Sequence, residues 1–247
     1  MRIAIVLSFL VVGCAAQGST VYRHEVDRGS DLEKELGYTL SIQGPASEYV
    51  VKFHATAAGK LKELFELDLT VTDTNGMLVQ LPLAIRSKSN KEDEFAAQFL
   101  VKKELISQAV LALRCAPWMS MHPETSYAIR LGDYAPGYKP TETQRIAELR
   151  KRHSALGLLV SHRSRNPPDY SSSLTALTVA QKLFPEVNFV GLSRASLEIL
   201  LGPSDPEPSS PPNSVTYTFG YRGQFVIRQF HFDSKGDVES VEKINTQ

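Results

Sequence analysis

Between Tyr38 and Leu131 apolar side chains recur at every second position, and this period restricts what the stretch can become. Successive side chains of a strand point to opposite faces, whereas a helix returns to one face only after about 3.6 residues. Phe65, Leu67, Leu69 and Val71 alternate with Glu66, Asp68, Thr70 and Thr72. Asn75-Gly76 follows, the residue pair that best favours a tight hairpin turn, and Val79, Leu81, Leu83 and Ile85 then alternate again. The same pattern marks Tyr38-Leu40-Ile42, Tyr49-Val51-Phe53, Phe95-Ala97-Phe99-Val101, Leu111-Leu113-Cys115 and Tyr127-Ile129-Leu131. Short strands at this spacing predict an antiparallel β-sandwich of immunoglobulin-like architecture over residues 38–133. The only cysteines are Cys14 and Cys115, and Trp118 lies past a strand end, so the expectation is confined to the architecture.

The pattern changes after residue 133. Tyr134 to Pro140 reads as a connection broken by Pro136, Gly137 and Pro140. Thr141 with Gln144 three residues on forms a capping-box pattern and opens a helix whose apolar face is only Ile146 and Leu149. Residues 134–170 are therefore read as a linker with a short basic helix. A second helix fits Ser173 to Phe184, with Leu174, Leu177, Ala180 and Phe184 on one side. Ser193 is placed to cap a third, Leu192 and Leu197 to staple it, and Gly202-Pro203 to end it. After a proline-rich loop, three strands are expected at Val215 to Phe219, Phe225 to Phe232 and Val238 to Ile244, the last two joined by the turn Asp233 to Gly236. Residues 171–247 thus predict an α+β domain of two helices and a three-stranded antiparallel sheet.

At the other end, Met1-Arg2 precedes an apolar run from Ile3 to Val12 and the small residues Gly13-Cys14-Ala15-Ala16. This is the layout of an export signal, too short to span a bilayer, which takes about 20 apolar residues. Val11-Val12-Gly13-Cys14 resembles the bacterial lipobox, which implies a signal over residues 1–16, lipid attachment at Cys14 and, with Ala15 next, sorting to the outer membrane. Cleavage after Ala16 and plain secretion is the alternative. Residues 17–37 are polar and read as a tether.

The stretch Gly191-Leu192-Ser193-Arg194-Ala195-Ser196-Leu197-Glu198-Ile199-Leu200-Leu201-Gly202-Pro203, followed by three strands and Phe232-Asp233-x-x-Gly236-x-Val238, resembles the SmpA/OmlA (BamE-like) family of small outer-membrane lipoproteins. The resemblance covers about Ser171 to Ile244. It implies two helices against a three-stranded sheet and a non-enzymatic habit of binding other envelope proteins.

Charge and chemistry narrow the function classes. Lys+Arg and Asp+Glu both number 27, so no overall field draws the chain to nucleic acid. The six histidines form no metal-ligand pair and no paired cysteine motif exists, so neither metal nor cofactor is expected. Gly191-Leu192-Ser193-Arg194-Ala195 breaks the nucleophile-elbow pattern, and helix capping accounts for Ser193. Cys115 fits a buried core residue. Two surfaces are candidates for a partner: the sheet face carrying Tyr217, Phe219, Tyr221 and Phe230, and a basic patch of Arg150, Lys151, Arg152, Arg163 and Arg165. The expectation is a non-catalytic binding or scaffold lipoprotein of the cell envelope, facing the periplasm, with another envelope protein and the membrane as partners. A secreted inhibitor, or a hydrolase with its site assembled between domains, are the alternatives.

Overall fold

The computed structural model describes residues 22–44, 47–56, 58–62, 64–72, 78–82, 86–88, 93–115, 124–165, 170–206 and 213–245. Its architecture is mixed α+β with three sheets. The elements of the first unit are β1 (Tyr22–Val26), α1 (Asp31–Leu36), β2 (Thr39–Gln43), β3 (Glu48–Thr56), β4 (Leu64–Thr72), β5 (Leu78–Pro82), β6 (Arg86–Lys88), β7 (Asp93–Lys102), β8 (Ala109–Cys115) and β9 (Thr125–Arg130). One sheet has the order β1-β9-β8-β4-β5 and the other β2-β3-β7-β6. Ladder pairs are antiparallel except β1 with β9, which run parallel.

Alternation produces the first core. In β3 the residues Tyr49, Val51, Phe53 and Ala55 point inward, and in β8 Ala109, Leu111, Leu113 and Cys115 do so. Cross-strand pairs such as Leu67 with Leu113, Leu69 with Leu111 and Ala55 with Phe95 bring these faces into line. Residues of both sheets belong to one hydrophobic cluster, so the two sheets close over a shared core. Each fully buried Leu or Phe side chain there contributes about 1.5–3 kcal/mol of transfer free energy. A register shift between Leu64 and Glu66 interrupts the ladder at the start of β4, where Leu64 is buried. The predicted turn Asn75-Gly76 lies outside the described residues, as do Leu83 and Ile85.

The second unit contains α2 (Glu142–Arg152), α3 (Leu156–Arg163), α4 (Tyr170–Glu186), α5 (Arg194–Leu201), β10 (Ser214–Tyr221), β11 (Gln224–Phe232) and β12 (Val238–Ile244). The capping box Thr141–Gln144 is formed, and Ser193 Oγ accepts the Ser196 N–H at 3.3 Å. Glu142 reinforces the second cap from α2, accepting from the Ser193 N–H at 2.7 Å and the Ser196 hydroxyl at 2.5 Å. The sheet runs β10-β11-β12, antiparallel throughout, with α4 laid on β10 and β11. Under α4 sits an aromatic cluster in which Phe230 meets Phe189 edge-on at 5.4 Å and Tyr217 at 5.5 Å.

Three expectations change. Residues 17–37 are not a tether through their described part: β1 joins the first sheet, and Val26, Leu32 and Leu36 enter the first core. The strand looked polar because His24 and its neighbours Glu25 and Arg23 are matched by charges rather than by apolar groups. Residues 134–170 are not a linker either, since Leu149, Leu156 and Leu159 of α2 and α3 belong to the second core. Finally, Tyr217, Phe219 and Phe230 form that core and are each 0% exposed. Period two separates the two faces of a strand without saying which one the helices cover, and here they cover the aromatic one.

The opposite face gives a direct check. Phe225 is half exposed on it, with its ring packed across Gly220, where a Cβ would lie only 2.4 Å from the ring. Phe230→Ala should lower the unfolding free energy by about 3–5 kcal/mol. Phe225→Ala should change it by less than about 1 kcal/mol. Urea unfolding of the two variants measures both, and equal losses would contradict the assignment of faces.

Candidate functional site

Charged side chains of both units meet where the two units join. β1 ends at Val26, and the Asp27 N–H donates across the junction to the Glu186 carbonyl at the end of α4, at 3.2 Å. The Asp27 carbonyl accepts the Ser30 N–H, and Ser30 caps α1 through the Glu33 N–H at 3.1 Å. Backbone geometry therefore presses the Asp27 side chain into the joint.

Arg152, at the last residue of α2, sits at the centre. Its side chain is 7% exposed. Nη1 and Nη2 donate to the two Asp133 oxygens at 2.6 and 2.8 Å, a bidentate pair. Nη1 also reaches Asp27 Oδ1 at 3.1 Å, and Nη2 reaches Glu148 Oε2 at 3.1 Å, one helical turn back. Burial works against the charge, but the bonds to Asp133 and Asp27 outweigh it and hold the guanidinium more firmly protonated than in water. For Asp133 burial prevails over the pull of Arg152, and its carboxyl lies above the usual range.

The network continues through His153. Its Nε2 lies 3.2 Å from Asp27 Oδ2 and its Nδ1 lies 3.7 Å from Glu186 Oε2. The other Glu186 oxygen meets His24 Nδ1 at 2.6 Å, and the His24 ring stacks on Tyr127 of β9 at 5.4 Å. Around this chain, Arg28 donates to the Asp133 carbonyl at 2.9 Å and covers the Tyr134 ring, while Arg145 donates to the Val190 and Asn188 carbonyls at 2.7 and 2.6 Å. Burial pulls the Arg145 pKa down. A cavity of about 270 Å³ opens beside Arg28, Arg145 and Arg152, and one of about 230 Å³ lies on the His153 side beside Arg23, Lys182 and Glu186. Among the described residues no group of three or more His, Cys, Asp or Glu side chains is placed to hold a metal ion.

The predicted site residues fall elsewhere or are divided. Cys14 lies outside the described residues. Tyr221, at the end of β10, is half-buried against the second core and shares the helix-facing side with Tyr217 and Phe219. The basic patch is split. Arg150, Lys151 and Arg165 are exposed, whereas Arg152 turns into the junction. Arg163 turns inward as well: it lies over the Tyr217 and Phe219 rings, donates to Asp205 at 2.6 Å and to the carbonyls of Thr218 and Pro203, and ties the start of the proline-rich loop to α3. Of the junction residues, only Arg152 carried a signal, because it follows Ile146 and Leu149 at three-residue spacing and so shares their helix face. Asp27, Asp133, His153 and Glu186 look like solvated residues in sequence, and all four are buried.

No protein-family model, curated protein or solved structure matches the chain.

Removing the central cation strands two buried carboxylates. Arg152→Met should cost about 3–5 kcal/mol, against less than about 0.5 kcal/mol for Lys151→Met next to it. The pH dependence has a definite sign. A carboxyl held above its ordinary value keeps its proton longer in the folded chain than in the unfolded one, so stability falls as pH rises through that range. Loss of Arg152 moves Asp133 further upward, and the variant should lose stability more steeply than wild type as pH rises from about 4. Urea midpoints across acidic pH measure this, and parallel curves would contradict it.

Proposed function

We propose that the protein is a non-catalytic binding or scaffold module of the cell envelope, held to the membrane by a lipid on Cys14 and engaging another envelope protein through the outer face of its C-terminal sheet. The observation that carries this reading is an apolar patch on the helix-free side. Phe225 and Ile244 are 49% and 37% exposed, and Ile227 pairs directly with Ile244 across the β11–β12 ladder, two residues along from Phe225. Exposed apolar groups set side by side mark interaction surfaces more often than scattered ones do. The partner surface expected at Tyr217, Phe219 and Phe230 thus moves to the opposite face of the same sheet.

The order of two helices and three antiparallel strands from α4 to β12 supports the SmpA/OmlA (BamE-like) reading of this half. The shared core between the two larger sheets supports an immunoglobulin-like sandwich in the first unit, with β1 and α1 added to it. Among the described residues no helix is long and apolar enough to cross a membrane, so the anchor in this reading is the lipid alone.

Two measurements test the proposal. Mass spectrometry of the membrane-extracted protein should find an acylated Cys14 as the first residue, and Cys14→Ser should move the protein to the soluble fraction. An unmodified chain beginning near Gln17 would replace the anchored reading with the secreted one. In envelope cross-linking, Phe225→Asp should abolish the adduct that wild type forms while leaving the unfolding free energy in urea within about 1 kcal/mol of wild type. An undiminished adduct would remove this face as the contact surface.

A further inference from the structure

We infer that the cavity of about 270 Å³ at the junction is a binding site for a free α-amino acid with a small apolar side chain, its carboxylate taken by Arg28 and Arg145 and its ammonium by Glu148. A guanidinium carries five N–H groups, and the fold leaves most of those on both arginines unfilled. Arg145 donates from Nη1 to the Val190 carbonyl and from Nη2 to the Asn188 carbonyl, and it makes no ion pair among the described residues. Burial pulls its pKa down, and the more distant carboxylates of Asp27 and Glu142 do not offset this. Arg28 gives one N–H to the Asp133 carbonyl, covers the Tyr134 ring and likewise pairs with no carboxylate among the described residues. The same short loop places both cations. Asn188 Nδ2 donates to the Arg28 carbonyl at 2.8 Å, and the carbonyls of Asn188 and Val190 hold Arg145. Donors fixed in advance reduce the ordering cost of binding a ligand.

The acceptor comes from α2. Glu148 follows Arg145 by three residues, a spacing that sets the two on one helix face about 5–6 Å apart at Cβ. Glu148 Oε2 accepts from the Tyr138 hydroxyl at 2.6 Å and from Arg152 at 3.1 Å. Its Oε1 accepts no hydrogen bond among the described residues, and the side chain is 41% exposed. Arg145 and Glu148 do not bond each other, so a positive and a negative group line the cavity side by side with donors and an acceptor to spare.

The other charges decide against a simple anion. Arg152 already answers Asp27 and Asp133. Three guanidiniums, of Arg28, Arg145 and Arg152, line the cavity with three carboxyl groups, of Asp27, Asp133 and Glu148. A lone anion is attracted by the first set and repelled by the second, whereas a ligand carrying both charges gains from each. Leu149, Pro140 and the Tyr138 ring supply the apolar lining. Pockets for drug-sized ligands begin at about 300 Å³, so this volume limits the ligand to a small molecule. Arg28 follows β1 of the first unit and Arg145 belongs to α2 of the second, so the bound amino acid bridges the two units.

Calorimetric titration of the full chain near pH 7 with L-alanine, L-valine, L-isoleucine and L-leucine tests this. At least one should bind, and it should raise the melting temperature as its concentration exceeds Kd. The amide of that amino acid lacks the carboxylate and its N-acetyl form lacks the ammonium, so each should bind at least about tenfold more weakly. Arg28→Gln and Glu148→Gln should weaken the parent amino acid by a similar factor. A direct contact also requires that Arg28→Gln leave the already weak binding of the amide unchanged. No binding by any of the four amino acids overturns the site, and so does an amide or N-acetyl form that binds as tightly as its parent. Acetate binding as tightly as the amino acid overturns the zwitterion in favour of a plain anion. Should Glu148→Gln fail to fold, the N-acetyl comparison on the wild-type chain decides the ammonium contact.

Discussion

The burial of Arg152 sets the terms for the rest of the molecule. A guanidinium taken out of water carries a desolvation penalty of several kcal/mol, which opposite charges offset only when the geometry is good and the donors are filled. Asp133, Asp27 and Glu148 take four contacts from Nη1 and Nη2, Asp133 in the parallel two-bond arrangement, while the buried Nε is left without a hydrogen-bond partner. Such a network adds little net stability over an apolar core, yet it tolerates no misalignment. The three acids come from the strand leaving the first sheet, the turn after β9, and α2 itself. Arg152 therefore prescribes how the two cores sit against each other, while each core supplies the stability of its own unit.

Much of the scaffold was legible in the sequence because its causes are local. Alternation of apolar and polar residues marks β2, β3, β4, β5, β7, β8 and β9 in the sequence. Capping chemistry placed the starts of α2 and α5 at Thr141 and Ser193, where both side chains perform the expected bonds. Both kinds of signal depend only on residues within a few positions of each other.

What was not legible depends on neighbours distant in sequence. β1 has almost no apolar pattern, because its inward groups are answered by charges about 160 residues away, as with His24 and Glu186. The aromatic side of β10 could not be assigned inward from alternation alone, since either face of a strand can take helices. The basic run from Arg145 to Arg165 misled for a third reason. Positive charge in sequence suggests a solvated face, but a guanidinium also satisfies backbone carbonyls and stacks on rings. Arg145 and Arg163 do this, and they consume as internal fasteners the charge that a surface reading would offer to a partner.

The two cores are distinct hydrophobic clusters, yet the joint between them makes a division at residue 134 physically poor. A fragment beginning there would keep Arg152, His153 and Glu186 but lose Asp27, His24 and Asp133. The ends of α2 and α4 would then carry a cation, an imidazole and a carboxylate built for burial and newly exposed. The first unit would keep Asp27 and Asp133 close together without the arginine that separates their charges, and Asp133 is already the group whose ionised form burial disfavours. The cooperative unit for the charged groups is therefore the pair of cores taken together, with the segment from Tyr22 to Leu36 belonging to both. It pairs with β9 and fills the first core through Val26, Leu32 and Leu36, while one residue past the strand Asp27 bonds Arg152 and His153 of the second unit.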